Sequence, residues 1–235
     1  MTAAELQATI RSPSPHAPET SLVCVENTHN GAGGVVTPVE ELQAIRAVAN
    51  ELRVPVHMDG ARLWNAHIAT GTALDAFGAC ADSVMVSFSK GLGAPVGAAL
   101  AGSAEFIRRA HRVRKRFGGG MRQSGVLAAA ALHGLEHHLA GLADDHRGAK
   151  VLAAALDGAA GATVVPPDTN IVMCDLPGPW AADVVAAAAA QGVLISPWTK
   201  ARVRAVVHRD APGERVVAAG VVLRDVIVAV SEQFA

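Results

Sequence analysis

Residues 83–97 read SVMVSFSKGLGAPVG. Val84, Val86 and Phe88 alternate with Met85, Ser87 and Ser89, which predicts a strand buried in a parallel sheet whose carboxyl end delivers Lys90 into a glycine-rich turn. A lysine is costly to desolvate, so at the mouth of an apolar strand it either reaches out to water or has a chemical task. Lys115, Lys150 and Lys200, the other lysines of the chain, follow no such strand. A functional Lys90 and an exposed strand-end lysine are both compatible with this pattern.

Outward from that turn, strands and helices alternate. LVCVEN at 22–27 predicts a strand ending in the polar run Glu26 to Asn30 and a glycine loop. Thr37-Pro38-Val39-Glu40 reads as a capping box, opening a helix over about 38–53 striped by Leu42, Ile45, Ala49 and Leu52. VPVHMDG at 54–60 is a second strand with His57 and Asp59 on one face, and ARLWNAHIAT continues as a helix. After Lys90, GAALAG at 97–102 predicts a short strand. It leads into a helix opened by Ser103, with Phe106, Ile107, Ala110 and Val113 facing inward, and the glycines at 118–120 stop that helix. Met121 to Leu139 is helical again, and residues 3–10 form a short helix closed by a Ser/Pro loop at 12–18. From about residue 144 the texture changes to helices over about 144–157, 179–191 and 212–231, interleaved with the short strand runs TVVPP, NIVMCDL, GVLISPW and RVRAVVH. The expected architecture is α/β over 1–143, with a mainly parallel sheet, and a smaller α+β domain over 144–235.

Composition narrows the function. The 235 residues are 51% apolar, with a formal net charge of −1, so neither nucleic acid nor an acidic membrane is implied. The basic run RRAHRVRKR at 108–116 reads as a solvated helix face. Cys24, Cys80 and Cys174 are far apart, which argues against zinc ribbons and disulfides and for a reducing, cytoplasmic location, and Cys24 and Cys174, inside predicted strands, read as core residues and not as nucleophiles. The first twenty residues lack the apolar core of a signal peptide, and the Ala-rich stretch 181–190 is too short to span a bilayer.

Three polar points end successive strands on one sheet edge: His29, then Asp59 with Arg62, then Lys90. Ligands of open α/β sheets sit at the carboxyl ends of strands. An aspartate and a lysine there are the minimum kit for pyridoxal phosphate, the lysine condensing with the aldehyde and the carboxylate holding a proton on the pyridine nitrogen. An Asp59 that merely caps the following helix competes with this reading. His57 with Asp59, or His133 with His137, could be taken for metal ligands. HGLEHH does not match HExxH, however, and a polar helix end explains the cluster, so no metal is expected.

Four segments then go beyond pattern: ENTHNGAGG at 26–34, HMDGARLWNA at 57–66, SFSKGLGAPVG at 87–97 and GGGMRQSGVLAAA at 118–130. Together they closely resemble the low-specificity L-threonine aldolases, pyridoxal-phosphate enzymes of the aspartate-aminotransferase-like fold (fold type I). The resemblance runs from about residue 2 to the end and weakens after about 160, where RVRAVVHRD at 202–210 is the best anchor. It implies that Lys90 is the Schiff-base lysine and Asp59 the partner of the pyridine nitrogen. It implies further that Arg62 lies by the phenolic oxygen and substrate carboxylate, that Arg204 clamps that carboxylate, and that His29 sits near the substrate hydroxyl. Lys115 and Arg122 resemble basic residues that approach the site from a neighbouring subunit, so a homo-oligomer is implied. The implied reaction is retro-aldol cleavage of L-threonine and related 3-hydroxy amino acids to glycine and an aldehyde, with either His29 or a water it orients taking the β-hydroxyl proton. Another β-eliminating lyase of the same scaffold, or a catalytically silent assembly module, are the alternatives. The family carries roughly ninety more residues ahead of the helix that begins here, a length within one domain's range and including a Ser-Gly-Thr phosphate loop. This chain alone is therefore expected to bind the cofactor weakly and turn over little threonine.

Overall fold

The structure is a computed structural model describing residues 1–10, 15, 16 and 18–234. Of the Ser/Pro loop expected at 12–18, residues 12–14 and 17 lie outside the described set. The chain divides into two compact units, one of residues 1–28 with 36–139 and the other of residues 29–35 with 140–235.

The first unit opens with helix α1 (Ala3–Thr9), whose Thr2 hydroxyl accepts from the Glu5 N–H while the Glu5 carboxylate accepts from the Thr2 N–H. There follow strand β1 (Val23–Glu26), helix α2 (Val39–Glu51), β2 (Val56–Gly60), α3 (Leu63–Thr70), the short α4 (Leu74–Gly78), β3 (Ser83–Ser87), β4 (Ala98–Gly102), α5 (Ala104–Arg116) and α6 (Gly125–His137). The sheet runs β1-β2-β3-β4, with β1, β2 and β3 parallel and β4 antiparallel to β3. Its core holds Phe77, Leu42, Ile45, Val56 and Met58, all at most 1% exposed. Gly60 ends β2 where the strands crowd: a Cβ there would stand 2.6 Å from the Met85 carbonyl oxygen, so only glycine fits.

Three expectations are corrected in this unit. Thr37 does not cap α2; its N–H and C=O are both held by the buried Asn27 side chain, at 3.1 and 3.2 Å, and the helix starts one residue later with Pro38 as an uncapped N-cap. Competition from a side chain outside the local segment overrides the capping pattern. Cys24 is exposed, not a core residue, because β1 is an edge strand in which only Val23 and Val25 are buried. The apolar stripe of α5 does not face inward either. That helix buries no residue, Phe106 and Val113 remain exposed, and β4 is exposed throughout. Ile107 and Ala110 are half-buried, so among the described residues of this unit the stripe is only partly covered.

The second unit contains α7 (Leu142–Leu156), β5 (Thr163–Val165), β6 (Ile171–Asp175), α8 (Ala181–Ala190), β7 (Ser196–Thr199), β8 (Arg202–Val206) and α9 (Gly213–Glu232). Its antiparallel sheet is ordered β5-β6-β8-β7. Leu152, Leu156, Val172, Cys174, Val184, Leu223 and Ile227 form the core between helices and sheet. Segment 29–35 is stitched into this unit by the buried Thr169 hydroxyl, which donates to the Gly34 carbonyl at 2.7 Å.

Candidate active site

In the first unit, the chemistry-bearing side chains come from the carboxyl ends of neighbouring parallel strands. Asp59 is the penultimate residue of β2, in register with Glu26 of β1 and Met85 of β3. Its Oδ1 accepts from the Ala61 N–H at 2.9 Å, a local bond that fixes the carboxylate at the strand-to-helix corner. Asp59 is not the cap of α3; that N-cap is Arg62, which makes no side-chain cap bond. Arg62 is half-buried, and burial lowers its pKa from the usual guanidinium value while the carboxylates of Glu26 and Asp59 oppose that shift. A desolvated cation beside carboxylates is a ready partner for an incoming anion.

Lys90 lies three residues beyond β3, in a turn closed by three backbone bonds. The Gly93 N–H donates to the Lys90 carbonyl at 2.8 Å, Ala94 N–H to Phe88 carbonyl at 3.0 Å, and Phe88 N–H to Gly97 carbonyl at 2.9 Å. The residue itself is exposed. From α3, the Trp64 indole N–H donates to the Ser87 carbonyl at 2.8 Å, and its ring stands 5.9 Å from that of Phe88. At the end of β1 the Thr28 hydroxyl is buried with no hydrogen-bond partner. Lys115, in the last turn of α5, and Arg122, just before α6, are both exposed.

The second unit presents His29 and Arg204. His29 is the N-cap of the short turn Asn30–Ala32, its Nδ1 accepting from the Ala32 N–H at 3.0 Å. Because Nδ1 accepts, the neutral ring carries its proton on Nε2. Arg204 is the central residue of β8; its guanidinium donates to the Asn30 side-chain oxygen at 2.8 Å and lies 5.8 Å from the centre of the Trp198 ring. Asn30, Trp64 and Trp198 were not singled out from the sequence. The hint available for the tryptophans was composition alone, since an indole N–H needs an acceptor wherever it is partly buried.

The model of the family described as beta-eliminating lyase matches residues 1–178. The chain is 46% identical over 175 residues to low-specificity L-threonine aldolase 1 of Arabidopsis thaliana, covering 73% of this chain and 49% of that protein. It is 40% identical over 200 residues to the low specificity L-threonine aldolase of Escherichia coli O157:H7, covering 85% and 58%. The chain thus spans about half to three-fifths of the length of these relatives. Among solved structures, the Leishmania major threonine aldolase matches the fold with a TM-score of 0.78 at 19% identity, over 97% of this chain and 67% of that one.

Proposed function

The chain belongs to the beta-eliminating lyase family, and we propose that it carries the cofactor and substrate groups of a pyridoxal-phosphate lyase cleaving L-threonine and related 3-hydroxy amino acids to glycine and an aldehyde. The observation that carries this reading is the placement of Asp59 and Lys90 at the carboxyl ends of the adjacent parallel strands β2 and β3. The donor set fits the cofactor: a carboxylate for the pyridine nitrogen, a half-buried guanidinium for the phenolic oxygen, an amine for the aldehyde, and an unpartnered buried hydroxyl at Thr28.

When bound, pyridoxal phosphate supplies a ring able to take up the electron pair released as the Cα–Cβ bond breaks. Asp59 would hold a proton at the ring nitrogen, Lys90 would supply the amine that holds the cofactor, and Arg62 would be the cation for the phenolic oxygen or the substrate carboxylate. Arg204 of the second unit, bonded to Asn30 and set beside Trp198, would offer its two-pronged fork to a substrate carboxylate. His29, with Nδ1 committed to the Ala32 N–H, acts as an Nε2 donor. In that form it would donate to the substrate hydroxyl or to a water that it orients there. Lys115 and Arg122 serve a neighbouring subunit of a homo-oligomer, a role supported by the exposed Phe106 and Val113 on the apolar stripe of α5. The three free cysteines support a reducing, cytoplasmic setting, and no helix of the described residues is long and apolar enough to cross a membrane.

The family's own description favours a second reading, β-elimination by the same Lys90 and Asp59. Borohydride reduction of the purified chain with pyridoxal phosphate, followed by peptide mass mapping, reads the amine without requiring turnover. The adduct is expected on Lys90, and an adduct confined to Lys115, Lys150 or Lys200 refutes the proposal. Glycine and acetaldehyde formed from L-threonine support the aldolase, whereas ammonia and an oxo acid support elimination.

A further inference from the structure

The turn that carries Lys90 is held from a helix that contributes nothing else to the site. Leu92, 1% exposed, accepts a hydrogen bond at its carbonyl from His138 Nδ1 at 2.7 Å. A carbonyl can only accept, so Nδ1 carries the proton. One turn earlier, Gly134 of α6 lies against the same residue: a Cβ there would stand 2.6 Å from the Leu92 oxygen and 3.3 Å from its Cβ. The helix therefore approaches as closely as a glycine allows.

This contact is not part of a general core, because α6 buries only Ala131 and Gly134. The His138 ring is itself packed edge-on by His133, with centroids 5.0 Å apart, which limits its rotation. From Leu92 the constraint passes along the turn, whose Gly93 and Ala94 N–H groups close onto the Lys90 and Phe88 carbonyls.

We infer that His138 is a positioning residue for Lys90, its Nδ1–H pinning the Leu92 carbonyl so that the turn presents the lysine amine in one orientation. The inference rests on the reading of Lys90 as the amine that holds the cofactor. Asparagine can place an amide N–H where Nδ1–H now lies, whereas alanine cannot.

The test uses the whole chain and two measurements. Without cofactor, amide hydrogen exchange at Gly93 and Ala94 is compared among wild type, His138→Ala, His138→Asn and Gly134→Ala. With pyridoxal phosphate, the apparent affinity for borohydride-trapped adduct on Lys90 is compared for the same four proteins. Loss of the bond should speed exchange and weaken trapping by about tenfold each in His138→Ala and Gly134→Ala. His138→Asn should restore both to near wild type. Unchanged exchange in His138→Ala, or loss in His138→Asn equal to that in alanine, overturns the inference. If the alanine variant does not fold, the contrast between His138→Asn and Gly134→Ala decides in the same way. The two readings fail separately: a wild-type adduct on another lysine refutes the functional reading whatever the exchange rates, while trapping at Lys90 with unchanged exchange refutes the brace alone.

Discussion

Asp145 and His146 are consecutive residues of α7, both nearly sealed from solvent at 4% and 6% exposure, and burial moves their pKa values in opposite senses. Burial raises Asp145 to about 6, against the pull of His208 and Arg209, and burial with the nearby Lys150 lowers His146 to about 4. For Asp145 the folded pKa lies above the unfolded one, so its contribution is present at low pH and lost as pH rises through about 4 to 6. For His146 the folded value lies below the unfolded one, so its contribution is present above about 6.5 and lost as pH falls toward 4. Each shift corresponds to about 3 kcal/mol, and the two nearly cancel over the same window. Wild type should therefore show a flat urea midpoint between about pH 4.5 and 6.5. Asp145→Asn, which keeps the shape and removes the charge, should unmask the histidine: stability should rise by about 2 kcal/mol from pH 4.5 to 6.5 and exceed wild type by about 3 kcal/mol at pH 7. His146→Gln should slope the other way. Urea titrations followed by tryptophan fluorescence would read this, since buried Trp180 belongs to the same core as Leu152 of α7. An Asp145→Asn variant with the wild-type pH slope would refute the burial argument.

Two further substitutions test how the first unit is built, each read by urea unfolding with Trp64 fluorescence. Gly60→Ala places a methyl 2.6 Å from the Met85 oxygen and 3.2 Å from Leu63 Cβ, and is expected to lower stability by about 1–3 kcal/mol. Asn27→Ala leaves the Thr37 N–H and carbonyl without their buried partner, with an expected loss of about 2–3 kcal/mol and a loosened start of α2.

The sequence was legible wherever local chemistry decides. The helix over Val39–Glu51, the stop of α5 at the glycines from 118, and the strands flanking Asp59 and Lys90 follow from periodicity, turn residues and buried runs, which depend on near neighbours. It misled at Thr37 and Cys24, where a side chain ten residues away and an edge position in the sheet overruled the local pattern. The inward stripe assigned to α5 failed for a related reason, because amphipathicity states which face wants cover and not what supplies it. By itself, then, the sequence determined the order of the elements and the residue types that could do chemistry. Only the tertiary structure decided which long-range partners hold them: the Leu92 carbonyl on His138 and Arg204 on Asn30. The physical reason is distance along the chain. A hydrogen bond between residues 46 or 174 positions apart depends on packing that no window of sequence contains.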